Sequence, residues 1–311
     1  MVLVAFLVLA LVLAGVAAWL YTPDKPRAVL EAEYAAPPSI FLQAAGLRMH
    51  VRDTGPRTAP AILLLHGFGA SLQTWDAWAA RLETDFRVIR CDLPGFGLTG
   101  PDQVTNPEGD YTDARAMVVL AALMDQLGLQ RATVAGHSMG GRIAWTFAAL
   151  HPERVDRLVL LAPDGFASAG FAYGVAPKVP LLLRALPYVL PTALLRPTLA
   201  AAYANPAMVT DDLVRRYRDM LLAPGVRAAI VVRTGQQVLV DPVPLLRSIQ
   251  APTLLLWGQQ DAMIPAANAA DYQAAIPGAR LTAFPGVGHL LAEEAPDATV
   301  QALRAFLAEG R

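Results

Sequence analysis

Ser138 stands in Gly136-His137-Ser138-Met139-Gly140, and a serine so placed can act as a nucleophile. The spacing demands a strand that turns into a helix within a few residues, with the serine hydroxyl projecting from the turn. The turning residue takes a strained, positive-φ conformation, so its neighbours must be small. Gly136 and Gly140 give the backbone room on either side, and Gly141 lets the following helix approach the sheet. The context matches: an apolar run at Ala132–Ala135 leads in, and a helical pattern from Arg142 to Leu150 leads out.

A serine hydroxyl alone is a poor nucleophile. It needs a base to take its proton, and the base needs an anion to fix its tautomer and stabilise the imidazolium. At such elbows the chain order is Ser, then Asp or Glu, then His. Two histidines follow Ser138. His151, before Pro152, caps the elbow helix beside its C-terminus. His289, in Gly286-Val287-Gly288-His289, lies in a bendable loop after the last strand and is the candidate base. For the acid, Asp261 follows a strand in Trp257-Gly258-Gln259-Gln260-Asp261 and is preferred. Asp164, after the strand ending at Leu161, is its rival; Asp241 shapes a turn with Pro242. Glu293 and Glu294 read as solvated charges. A tetrahedral intermediate also needs donors for its oxyanion. The backbone N–H of Met139, next after the nucleophile, and that of Phe68 in the loop after the third strand are the candidates. His66 and His137 read as holding loop backbone by hydrogen bonds, and His50 as structural.

The elements that must position these residues follow from hydrophobic periodicity. Phe41–Ala44 and Leu47–Asp53 read as strands joined at Ala45-Gly46, and Ala61–Leu65 as a strand buried on both faces. Trp75–Glu83 reads as helix, Phe86–Cys91 as strand and Asp113–Leu127 as helix, closed by Gly128; Arg157–Leu161 is the strand after the elbow helix. From Phe166 to about Val240, prolines chop an Ala- and Leu-rich stretch into short pieces around one clear helix, Asp211–Leu222. This reads as a helical cap, and Leu181, Leu182, Leu183, Leu186 and Tyr188 as its packing or as an apolar pocket for substrate. Alternation resumes with Thr253–Trp257, Ala266–Ala275, Arg280–Phe284 and Asp297–Leu307. Alternating strands and helices make a mainly parallel sheet, whose ligands bind at the carboxyl ends of the strands. Every motif above sits just after a strand.

Composition narrows the partners. A net charge of -1 gives nucleic acid no electrostatic support. The single cysteine, Cys91, permits no intramolecular disulfide and no cysteine cluster for metal. Val2–Leu20 contains no charged residue, and as a single hydrophobic helix its 19 residues would span about 28 Å. No Lys or Arg precedes it, so an uncleaved single-pass membrane anchor is preferred to a signal peptide, cleavage of which would leave a secreted or periplasmic protein. The chain thus divides into an anchor or signal at residues 1–21, a Pro- and Ala-rich linker at 22–39, core at 40–165, cap at 166–245 and core again at 246–311.

Assembled in order, His66-Gly67-Phe68-Gly69, Asp92-Leu93-Pro94-Gly95-Phe96-Gly97, Gly136 to Gly140, Gly258 to Asp261 and Gly288-His289 resemble the α/β-hydrolase family, in its serine-nucleophile, esterase- and lipase-like branch. The resemblance implies an eight-stranded sheet with helices on both faces and a lid after the sixth strand, and neither metal nor organic cofactor. It implies a small-molecule carboxylic ester as substrate, with Ser138, His289 and Asp261 as triad. A carbon–carbon bond hydrolase of ring-fission products is the nearest alternative; Arg184 and Arg196 would be available to a carboxylated substrate. A non-catalytic binding module on the same fold is the other. Relatives with an aspartate nucleophile, the epoxide hydrolases and haloalkane dehalogenases, are disfavoured by Ser138 itself.

Overall fold

A computed structural model describes residues 18–167 and 172–309, together with residues 4, 6, 7 and 15. Eight strands form one sheet in the order β1-β2-β4-β3-β5-β6-β7-β8. They are β1 (Ser39–Ala44), β2 (Leu47–Thr54), β3 (Ala61–Leu65), β4 (Arg87–Cys91), β5 (Ala132–His137), β6 (Val155–Leu161), β7 (Thr253–Gly258) and β8 (Arg280–Phe284). β2 runs antiparallel to both β1 and β4, and every other pairing is parallel. β4, β5 and β7 are buried along their whole length, which is why their sequences are apolar without alternation. The two exceptions on β4 are paired: Arg87 with Asp53 at 2.8 Å, and Arg90 with Asp76.

The helices α1 (Arg27–Tyr34), α2 (Asp76–Leu82), α3 (Asp113–Gln126) and α4 (Met139–Leu150) precede the cap. The crossover through α2 steps one way along the sheet, whereas those through α3 and α4 step the other. Right-handed crossovers therefore put α2 and α3/α4 on opposite faces. Thr112 caps α3 by accepting the Arg115 N–H at 3.2 Å. Between β6 and β7 lie α5 (Leu181–Arg184), α6 (Thr192–Ala200), α7 (Asp211–Leu221) and α8 (Val226–Gln236), then α9 (Val243–Arg247). α9 packs on α4, so the chain is back on the core from Val243, three residues before the expected boundary. α10 (Asn268–Ala275), α11 (Leu291–Glu294) and α12 (Pro296–Ala308) complete the fold, with α12 against α2.

Two expectations differ from what is found. The stretch 22–39 is no free linker: α1 lies within it and its Leu30 is fully buried. Pro26 sits just before the first turn of α1, where a missing N–H is harmless, so proline content misled. Around it, Lys25 pairs with Asp219 at 2.6 Å, the Tyr34 hydroxyl donates to Asp219 at 3.0 Å, and Arg227 donates to the Thr22 carbonyl at 2.6 Å and Asp24 at 2.7 Å. The segment thus ties α7 and α8 of the cap to the core. Second, Leu181, Leu182 and Tyr188 are exposed rather than packed, while Leu186 is half-buried against the core. The expected membrane span at Val2–Leu20 lies largely outside the described residues. Among the described residues, no helix is long and apolar enough to cross a membrane.

Candidate active site

β5 delivers Ser138 to a turn with φ +52° and ψ −119°, outside both helix and strand geometry. Such a conformation costs a non-glycine residue about 1–3 kcal/mol. It persists because neighbours hold it: the Ser138 N–H donates to the Leu161 carbonyl at 2.9 Å, and its own carbonyl accepts from Arg142 at 3.1 Å and Asp164 at 3.0 Å. A Cβ on Gly136 would collide with the Gly140 carbonyl, and one on Gly140 with that of Leu65. Ser138 is half-buried, while Gly136, His137, Met139 and Gly140 on either side of it are buried.

The loop after β7 and the loop after β8 meet beside this turn. His289 Nδ1 lies 2.8 Å from Asp261 Oδ2, and both residues are buried. Asp261 is itself oriented, since its Oδ1 accepts the N–H groups of Met263 and Ile264, each at 2.8 Å. With Nδ1–H donated to a carboxylate, Nε2 of a neutral His289 is left as an acceptor. The main chain of His289 is held on both sides: its N–H donates to the Ala202 carbonyl at 2.8 Å, and its carbonyl accepts from His137 Nε2 at 2.8 Å. The His137 and His289 rings lie 4.5 Å apart between centroids, which brings the loop at 289 against the residue preceding Ser138. Asp164 is directed elsewhere; its carboxylate accepts from Gln237 Nε2 at 2.9 Å. Burial raises the Asp164 carboxyl above its ordinary range.

The Met139 N–H is the first of α4 and has no intrahelical acceptor. The loop carrying Phe68 approaches from β3, and a Cβ on Gly67 would lie 3.3 Å from Ser138 Cβ. This loop is fastened to the next one through His66, which accepts the Leu93 N–H on Nε2 at 2.9 Å and bonds the Gly67 carbonyl through Nδ1 at 2.7 Å. Asp92 organises a third junction. Its carboxylate accepts the N–H groups of Leu72 and Leu98 and the Nδ1 of His50, all at 2.8 Å. His151 does end α4, with its N–H donating to the Phe147 carbonyl at 2.8 Å.

Glu293 and Glu294 are not solvated. Glu294 accepts the N–H of Ala204 at 2.8 Å and that of Gly288 at 3.0 Å. Glu293 accepts from Arg216 at 2.7 Å and from the Tyr203 hydroxyl. The histidine loop is therefore stitched to the cap by two adjacent carboxylates. Their partners lie some 70 to 90 residues away, so sequence offered no sign of them except Gly288, whose lack of a Cβ leaves room for the approach. Arg184 lies exposed on the cap and Arg196 pairs with Asp211, so neither faces the site. Two cavities flank the turn. One, of about 270 Å³, is lined by Met139, Tyr111, Arg142, Arg233 and Gln237; the other, of about 540 Å³, by Asp164, Phe166, Val175, Lys178 and Gln237.

Burial holds His137 well below the usual imidazole range and His66 below it. Unfolded, each would take a proton near pH 6.5; folded, each does so only at lower pH. The unfolded chain then binds more protons, so stability falls as pH drops below about 6.5, at up to about 1.4 kcal/mol per pH unit for each histidine. Asp164 and Glu294, raised by burial, act in the opposite sense from the carboxylate range upward. Urea-unfolding midpoints are expected to decline between pH 7 and pH 6; a flat profile would contradict the buried, neutral state of both rings.

The profile of the alpha/beta hydrolase fold matches residues 60–296. An uncharacterized protein of Mycobacterium tuberculosis is 32% identical over 303 residues, 91% of this chain and 85% of its own length. The 2-hydroxy-6-oxononadienedioate/2-hydroxy-6-oxononatrienedioate hydrolase of Comamonas testosteroni is 28% identical over 274 residues, 86% of this chain and 93% of its own. Among solved structures, a bacterial membrane phospholipase A superposes with a TM-score of 0.72 at 27% identity, over 98% of this chain and 97% of the other. This chain belongs to the alpha/beta hydrolase family.

Proposed function

We propose that the protein cleaves carboxylic esters of hydrophobic small molecules through an acyl-enzyme intermediate. The observation that carries this reading is the Asp261–His289 pair, 2.8 Å apart, whose imidazole lies 4.5 Å from the ring of His137, the residue just before the strained turn at Ser138. Ser138 attacks the ester carbonyl as His289 Nε2 takes its proton. Asp261 keeps the ring in the right tautomer and stabilises the imidazolium. The N–H groups of Met139 and Phe68 receive the oxyanion. His289 returns the proton to the departing alcohol, and a water molecule activated by the same ring then releases the acid. In this reading Val2–Leu20 attaches the chain to a membrane, and co-flotation of the full chain with vesicles reads that out.

A second reading, carbon–carbon bond hydrolysis of a ring-fission product, draws support from the Comamonas relative and from Arg142 and Arg233 at the cavity beside Met139. These could face a substrate carboxylate. A panel of p-nitrophenyl esters set against a vinylogous diketone acid separates the two. Ester turnover is expected to exceed diketone turnover by about 10²-fold or more in kcat/KM, a difference of roughly 2.7 kcal/mol in transition-state binding. The reverse order would transfer the assignment to the second reading.

A further inference from the structure

Around α5 and the start of α6 the cap exposes large apolar side chains. Leu181 is 81% exposed and Leu182 90%, and Tyr188 and Leu194 are exposed as well. Leu181 and Leu182 stand side by side on α5, so their exposure is not that of isolated surface leucines. Between Asp164 and Asp211 the sequence contains no acidic residue, while it contains Lys178, Arg184 and Arg196. Lys178 and Arg184 are exposed, and neither forms an ion pair among the described residues.

The N-terminal segment leaves the fold at the same place. The Thr22 N–H donates to the Tyr188 carbonyl at 2.8 Å, and the Leu190 N–H donates to the Thr22 hydroxyl oxygen at 3.4 Å. Trp19, 82% exposed, and Tyr21 stand just before this junction. Before them runs the uncharged stretch Val2–Leu20. A segment apolar on every side cannot cover the cap leucines and remain in water itself.

We infer that this cap surface, the α5–α6 region with Trp19 and Tyr21, docks on an anionic lipid bilayer, with the N-terminal segment as its tether. The inference rests on the membrane reading of Val2–Leu20 and is independent of which bond the enzyme cleaves. Leucines supply the apolar contact, aromatic rings the interfacial one, and Arg184 the attraction to anionic headgroups. Docked so, the cap would present substrate taken from the lipid phase rather than from water.

The chain's single cysteine, Cys91, is buried, so a cysteine placed on the surface can be labelled selectively. The full chain carrying Leu182→Cys and an environment-sensitive fluorophore is mixed with phosphatidylcholine vesicles containing phosphatidylglycerol. Gln250→Cys, exposed before β7 at the opposite end of the sheet, serves as control. Emission at 182 is expected to shift blue and rise about two- to threefold with vesicles, less with pure phosphatidylcholine, and to stay constant at 250. Leu181→Glu with Leu182→Glu should slow hydrolysis of a vesicle-embedded ester about tenfold while leaving p-nitrophenyl butyrate turnover unchanged. Equal responses at 182 and 250, or none at 182, would overturn the docking. So would a rise at 182 that needs only more protein and no lipid, which would assign the surface to a second copy of the chain. Because the fluorescence requires no turnover, its failure is distinct from failure of the ester reading.

Discussion

Ser138→Ala is expected to abolish labelling by a fluorophosphonate probe and to lower ester kcat by roughly 10⁴- to 10⁶-fold with little change in KM. In the proposed mechanism the Ser138 hydroxyl forms the acyl bond, and without it His289 has nothing to activate. Alanine tolerates φ +52° no better than serine, so folding should be unaffected. Ser138→Gly makes a sharper companion. Glycine relieves the strain at the turn, so this variant should be equally inactive yet more stable by about 1 kcal/mol, seen as a higher Tm. An enzyme that keeps labelling after Ser138→Ala would place the nucleophile elsewhere and remove the basis of the proposed mechanism. Folded wild type that never labels would favour a binding module.

Asp261→Asn should lower kcat by about 10⁴-fold while leaving KM and Tm close to wild type. The amide oxygen can still accept from Met263 and Ile264, so the loop keeps its shape. What is lost is the negative charge that stabilises the imidazolium and the acceptor that selects the Nδ1–H tautomer of His289. Asp164→Asn is the matched control. Its carboxylate bonds Gln237 rather than a histidine and is already raised by burial, so neutralising it should cost less than about tenfold in kcat. Inverted effects in the two variants would make Asp164 the acid.

Much of this was legible before any coordinates. The central strands were readable because parallel strands covered on both faces carry unbroken apolar runs, as at Ala61–Leu65; the edge strand Arg280–Phe284 also has the expected bounds, and the others differ by a few residues. The elbow was readable because a strained turn tolerates so few residue types around it. The cap was readable only as an interruption, since its helices are short, proline-broken and set by what they touch. Pro26 and its neighbours looked like a linker although Leu30 is buried and Lys25 holds Asp219. Glu293 and Glu294 looked solvated because their acceptor roles depend on groups from the cap.

The order of residue types along the chain determined by itself that Ser138, Asp261 and His289 each end up in a loop just after a strand, because each follows an apolar run of strand length. Only the tertiary structure decided that the loops at 261 and 289 close to 2.8 Å beside the turn at 138, that Asp164 is taken up by Gln237, and that the cap leucines face outward. Local periodicity specifies which face of an element is buried. It carries no information on which distant loop will supply a hydrogen-bond partner, since that depends on how the eight strands are ordered in the sheet.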